Sequence, residues 1–345
     1  MTETAASESS RTRRRLAQMG VLALAGVLLY LAFRGVDWAE LGARLADAEL
    51  RYVALAWALM TLAMVLRSVR WGVLVRVRAT PGFLTMFWAT TAGYVGNSYL
   101  PARAGDVLRS VLLARHLSIR KTFVLGTTVT ERVLDTIVVV AMAGAVVALI
   151  PAAPGWLATS SIGLSIAALV ALLALLAAPR LAGWIEIAAG RLPVAPRWRD
   201  GLVAMWHEFF TGARGIQSHG GAAAFGLLTA IVWTIDATCM YTVAIALGLD
   251  AMTPVLALLM IVALALSSVA PSTPGYVGVY QFVAVSVLTP IGFAKTEALA
   301  LVLLFQAAIY AAVTPWGLIG LWRLGGIGRA NLNQSDAGAE AETRG

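Results

Sequence analysis

The chain has 345 residues, of which 59% are hydrophobic and 13% charged. Soluble domains carry about 45–50% apolar and about 25% charged residues, so the composition excludes an ordinary cytosolic enzyme and points to an all-α polytopic membrane protein. The formal charge is +8, and 24 of the 26 cations are arginines that flank apolar segments, which favours anionic lipid over nucleic acid as partner.

Residues 1–16 form a basic tail ending in Arg11, Arg13, Arg14 and Arg15. The apolar run Ala17–Phe33 follows, with no small-x-small cleavage signal before Arg34, so it reads as an uncleaved first span. Residues 36–50 place Trp38, Leu41, Leu45 and Ala48 on one helical face and Glu40 and Arg44 four apart, the pattern of an in-plane interfacial helix. Further apolar runs cover 52–75, 122–150, 157–178, 222–249 and 296–322, each long enough for about 30 Å of hydrocarbon. A second amphipathic segment, 198–210, groups Leu202, Met205 and Phe209 near Trp198 and Trp206. Residues 324–345 read as a disordered tail.

Two other apolar stretches, 83–121 and 254–293, are interrupted. The first contains Asn97-Ser98-Tyr99-Leu100-Pro101-Ala102-Arg103-Ala104-Gly105-Asp106, and the second Pro271-Ser272-Thr273-Pro274-Gly275-Tyr276-Val277-Gly278. Proline removes a backbone donor and glycine favours non-helical angles. Each stretch is therefore expected to be two half-helices joined by an unwound elbow, re-entrant or crossing as two short spans, with the second halves starting after Gly105 and Gly275. Such backbone survives at membrane depth only where protein or a polar cavity surrounds it.

Arginine placement sets the expected orientation. With the N-terminus inside, 19 cations fall in cytoplasmic segments, among them Arg67, Arg70, Arg76 and Arg78, against 4 outside. Both termini are then cytoplasmic, and the inner cell membrane is the expected location. The order span, span, broken stretch, span occurs twice with opposite entry sides. This predicts six full spans plus two broken helical hairpins in an inverted repeat, residues 17–150 and 157–323 of one membrane domain, 17–323. The elbows share Ser98-x-x-Pro101-x-x-x-Gly105 and Ser268-x-x-Pro271-x-x-x-Gly275. Paired interrupted helices of this kind mark the midplane site of many transporters.

Seven charges lie within apolar stretches: Arg103, Asp106, Arg109, Glu131, Arg132, Asp135 and Asp236. One charge at the bilayer centre costs roughly 2.5–3.5 kcal/mol on insertion scales. The group must pair internally or face a polar cavity. An internal salt-bridge network and a ligand site are equal readings of Asp106, Glu131 and Asp135, whereas the arginines, with their planar fork, favour phosphate. Asp236 is read as an arginine partner, with a proton carrier as the alternative. The lone Cys239 and the three histidines, His116, His207 and His219, give no metal-ligand spacing, and no glycine-rich phosphate loop precedes Lys121 or Lys295, so no cofactor is expected.

Arg70-Trp71, the run from Asn97 to Arg109, Thr130-Glu131-Arg132-Val133-Leu134-Asp135 and the Pro271-to-Gly278 elbow together resemble the lysylphosphatidylglycerol synthase transmembrane-region family, also called flippase-like domain proteins. The resemblance spans about residues 17–323. It implies movement of a polar lipid between leaflets, aminoacylated phosphatidylglycerol in particular, with Arg103, Asp106, Arg109, Glu131, Arg132 and Asp135 lining the headgroup cavity. Where the family often has a glutamate after the second elbow, this chain has Gln281. The chain stops about 20 residues after its last span, so no aminoacyl transferase is expected. The reading is a lipid translocase rather than an enzyme. Its alternatives are a membrane-embedded enzyme using Glu131 or Asp135 as base, and a scaffold for a lipid-synthesis enzyme docking at the 179–221 loop.

Overall fold

The computed structural model describes residues 23–100, 103–149, 220–268 and 273–342, with scattered positions elsewhere. The 157–178 span, the 198–210 helix, Pro101 and Pro271 lie outside the described residues. The described residues form helices and no strands. In chain order they are α1 Ala23–Phe33, α2 Trp38–Ala46, α3 Leu50–Val75, α4 Phe83–Tyr99, α5 Ala104–His116, α6 Lys121–Leu149, α7 Gly221–Ala246, α8 Pro254–Ser267, α9 Val279–Leu288 and α10 Lys295–Glu342.

Long apolar stretches without proline or glycine clusters propagate as helix because each added residue gains a backbone bond, and in lipid every such bond must be internal. Helices α3 and α7, the Pro274–Ile291 segment around α9, and Lys295–Gly325 of α10 are long and apolar enough to cross a membrane. Helix α6 has 29 residues but carries Glu131, Arg132 and Asp135.

The short α2 starts where the Asp37 carboxylate accepts from the backbone N–H groups of Ala39 and Glu40. It buries Leu41 and pairs Glu40 with Arg44 at 2.9 Å, while Trp38 is exposed and stacks on Phe33. The amphipathic assignment therefore holds for Leu41 and Ala48, which are buried, and for Leu45, which packs on the core, whereas Trp38 is exposed.

Helix α3 packs along α7, α10 along α4, and α5 folds back against α4. The α4–α5 contact is close because small residues face each other: a Cβ on Gly105 would lie 2.0 Å from the Gly93 carbonyl oxygen. Gly105 thus sits inside the first turn of α5, which begins at Ala104, and serves packing where an unwound position was expected. Similarly, the second half-helix starts after Gly278, past the Gly275 expected from the matched motif. A 3-10 turn, Pro274–Tyr276, intervenes, with Gly275 at φ 65° and Tyr276 at φ 60°. Gly275, Tyr276, Val277 and Gly278 all lie outside the α region, so α9 starts only at Val279.

Pro315 lies inside α10 and cannot donate to the carbonyl of Ala311 one turn back. The indole N–H of Trp57 on α3 donates to that oxygen instead, at 3.1 Å. A proline and a tryptophan distant in sequence thereby restore one backbone bond and fasten α10 to α3. The backbone of α10 runs on to Glu342, across much of the 324–345 segment that composition assigns to disorder.

Candidate functional site

The two interruptions meet. A Cβ on Gly275 would stand 3.2 Å from the Ser98 carbonyl oxygen, so the end of α4 and the turn before α9 touch. At the first elbow α4 ends at Tyr99, Leu100 is extended, and Arg103 takes a left-handed conformation at φ 53° before α5. At the second, an amide chain fixes the turn. The Gly278 N–H donates to Gln281 Oε1, Gln281 Nε2 donates to Gln306 Oε1, and Gln306 Nε2 donates to the Gly275 carbonyl. The Tyr310 hydroxyl donates to the same carbonyl at 3.3 Å. Gln281 is therefore a neutral structural member of this elbow.

Beside the elbows lies a cavity of about 230 Å³. Its charged lining residues are Arg67, Arg103, Arg132 and Asp236. Asn97, Ser98, Ser268 and Gly275 also line it, and its aromatic walls come from Tyr94, Trp233, Tyr276, Tyr280 and Tyr310. The two elbow serines, matched in sequence, thus reach one space.

Behind one wall the remaining charges form a continuous ion-pair network. The Glu131 carboxylate, 1% exposed, accepts from Arg70 at 2.9 Å through one oxygen and from Arg109 at 2.7 Å through the other. Arg70 also grips Asp135 as a fork, with Nη1 to Oδ1 at 2.6 Å and Nη2 to Oδ2 at 2.9 Å. Thr229 accepts a further bond from Arg70 at 3.2 Å. Arg109 lies over the Trp71 ring at 4.4 Å from its centroid. Asp106, in the first turn of α5, faces Arg132 at 3.1 Å, Arg109 at 3.4 Å and Arg103 at 3.6 Å. The helix N-terminus favours that carboxylate further. Arg132 also approaches Asp135 at 3.8 Å.

Asp236 is partnered by Arg67, with Nη2 donating to Oδ2, as its arginine-partner reading requires. The Arg67 guanidinium also lies 5.6 Å from the Tyr94 ring centroid.

The predicted residues therefore divide. Arg103, Arg132 and Asp236 reach the cavity with Asn97 and Gly275. Asp106, Glu131 and Asp135 stand behind it with Arg109 and hold the arginines. Pro274 sits in the 3-10 turn and Gly278 ends it at φ 89°. Sequence reasoning missed two central members. Arg67 and Arg70 were counted among the cytoplasmic cations, yet the Arg70 side chain is 1% exposed and that of Arg67 13%. Both sit inside the 52–75 run at three-residue spacing, on one helical face, and that spacing was the available signal. With them counted, nine charges cluster here, five arginines against four carboxylates, where the sequence suggested three against four.

Several polar atoms around the cavity are buried without a hydrogen-bond partner: Arg67 Nη1, Arg103 Nε, Arg132 Nε, Trp233 Nε1 and Asp236 Oδ1. Buried polar groups are rarely left so, and here they share one chamber.

The sequence pattern of the lysylphosphatidylglycerol synthase TM region matches residues 18–317. Glycosyltransferase AglD of Haloferax volcanii is 27% identical over 338 residues, covering 87% of this chain. The match covers 52% of that relative, so the chain spans about half its length.

Proposed function

The chain belongs to the lysylphosphatidylglycerol synthase transmembrane-region family, and on that premise we propose that it is a lipid translocase of the inner cell membrane. The headgroup of an anionic, aminoacylated or other polar lipid enters the cavity, and the acyl chains stay in the bilayer. One observation carries the reading: Tyr94, Ser98 and Arg103 of one interrupted stretch and Ser268, Tyr276 and Tyr280 of the other line a single chamber, with Arg67 and Arg132 from neighbouring helices. Hydrocarbon rejects such groups, and a chamber that accepts a headgroup gives them a partner.

The proposed arrangement is six full spans and two broken hairpins in an inverted repeat, with both termini cytoplasmic. The touching elbows and the shared position of Ser98 and Ser268 support the repeat. Arg67 and Arg70 leave the cytoplasmic count, and seventeen cations against four still favour that orientation. The work is binding and release, with no covalent step.

The relative's name favours a second reading, in which this domain presents or receives lipid for a lipid-modifying enzyme, as partner or as part of a longer chain. In both readings the headgroup occupies the same chamber.

The test is reconstitution into vesicles with headgroup-labelled phospholipids and measurement of leaflet exchange. Arg132→Gln and Arg103→Asn should each slow exchange about tenfold, the equivalent of ~1.4 kcal/mol. Asparagine suits the left-handed backbone at position 103. Exchange at the wild-type rate in both variants would overturn translocation through this chamber.

A further inference from the structure

The chamber's charge is not balanced, and its unpaired atoms are mostly donors. Among the described residues, Arg67, Arg70, Arg103, Arg109 and Arg132 face Asp106, Glu131, Asp135 and Asp236, which leaves one positive charge in excess. That excess lies toward the cavity. Glu131 and Asp135 hold Arg70 in the interior, and Glu131 with Asp106 holds Arg109, whereas the lining itself contains three arginines and one carboxylate.

The single lining carboxylate, Asp236, is already engaged by Arg67 through one oxygen, so only Oδ1 is open. Three donors are open, Arg67 Nη1, Arg132 Nε and Trp233 Nε1, while Arg103 Nε stands 3.6 Å from Asp106 Oδ2. The remaining unpartnered acceptor, Asn97 Oδ1, lies against Gly105 under α5. The second elbow adds dipoles and no charge, because Gln281 and Gln306 engage each other and the backbone.

Resting on the translocase reading, we propose that the site selects a lipid phosphate carrying one net negative charge and no ammonium group, a phosphodiester bearing a hydroxylated headgroup. The two non-bridging oxygens of a phosphodiester accept several donors at once, and guanidinium groups match them in geometry and charge. One negative charge neutralises the excess. An ammonium-bearing headgroup meets three guanidinium groups and finds one half-occupied carboxylate. To gain it fully, the ammonium must take Asp236 from Arg67 and leave another buried cation unpaired, which is costly. Among the headgroups that the translocase reading admits, a lysyl ester of phosphatidylglycerol, with two ammonium groups and net positive charge, is therefore the least favoured, and zwitterionic amine lipids are held weakly.

The experiment is lipid competition read by native mass spectrometry. Purified full-length protein is exposed to mixed micelles containing equimolar phosphatidylglycerol, phosphatidylethanolamine and lysyl-phosphatidylglycerol. Phosphatidylglycerol should be retained about tenfold over lysyl-phosphatidylglycerol, a difference of ~1.4 kcal/mol. Arg132→Gln removes the excess charge and should bring phosphatidylglycerol and phosphatidylethanolamine to within about threefold of each other. Thermal unfolding of the same sample checks that this variant is folded. Equal retention by the wild type, or preference for either amine lipid, overturns the proposal, as does an undiminished preference in folded Arg132→Gln. Leaflet exchange on the same preparation separates the two ideas. Selective retention with no exchange supports the specificity and sinks the transport reading, whereas exchange without selectivity does the reverse.

Discussion

At the scale of single residues, Glu131 is the group on which the buried charges depend. It lies between two arginines whose side chains are as buried as its own, and each of its oxygens takes one of them. The attraction barely exceeds the desolvation of three ions, so the cluster adds little net stability as a whole. Removing one member is different. Glu131→Gln leaves Arg70 and Arg109 facing each other across a neutral amide. The expected loss is ~3–5 kcal/mol, read as a lower unfolding temperature in detergent. Asp135→Asn should cost less, because that carboxylate is 14% exposed and Arg70 keeps Glu131. Equal losses in the two variants would mean that the fork onto Asp135 matters as much as the interior pair.

Residue by residue, the sequence was legible where hydrophobicity made an anomaly conspicuous. A carboxylate in an apolar run must find a partner, so Asp106, Glu131, Asp135 and Asp236 stood out. Arg67 and Arg70 did not, because arginine near the end of a span is usually at the interface, where its long stem lets the charge reach water. What draws them inward is Glu131, 61 residues from Arg70, and Asp236, 169 residues from Arg67. That pairing is tertiary and leaves no trace in local spacing beyond the shared helical face. The tyrosines of the cavity wall were invisible for the same reason.

At the scale of elements, two local features hold irregular backbone in place. The first is the Trp57 bond to the Ala311 carbonyl beneath Pro315. Trp57→Phe keeps an aromatic side chain, though a smaller one, and removes the N–H, leaving that carbonyl without its donor. The cost of a hydrogen bond lost this way is about 1–3 kcal/mol, measurable by thermal unfolding. Adding Pro315→Ala restores the helical donor and should recover most of the loss; failure to recover would mean that the indole acts through packing alone. The second is Gly275, whose left-handed backbone leaves no room for a side chain. A Cβ there would fall 1.8 Å from the Tyr310 hydroxyl oxygen. Gly275→Ala should therefore displace Tyr310 and slow leaflet exchange, and Tyr310→Phe in the same chain should restore part of the rate by removing the clashing oxygen. The elbows were legible because proline and glycine punctuate the chain. Their edges were not: Gly105 is glycine because α4 lies against it, a reason that exists only once the helices pack.

At the scale of the whole molecule, the proposed inverted repeat would tie topology to function. If the two halves enter the membrane from opposite sides, a rocking motion of one half against the other exposes the shared chamber first to one leaflet and then to the other. The arrangement requires the short α2 and the connection between α3 and α4 to lie on opposite faces, because α3, at 26 residues, is ~39 Å long and must cross. Asp47 and Thr80 are exposed at those two ends. In a chain whose one cysteine is replaced, Cys239→Ala, single cysteines at Asp47→Cys and Thr80→Cys report the sides directly. A membrane-impermeant maleimide applied to intact cells should label position 47 and spare position 80, and lysis should expose position 80. Reversed labelling would invert the orientation and leave the chamber intact. Labelling of both positions from outside would remove α3 as a span. The Arg67–Asp236 pair would then have no hydrocarbon to exclude water from it, and no reason to be buried as it is.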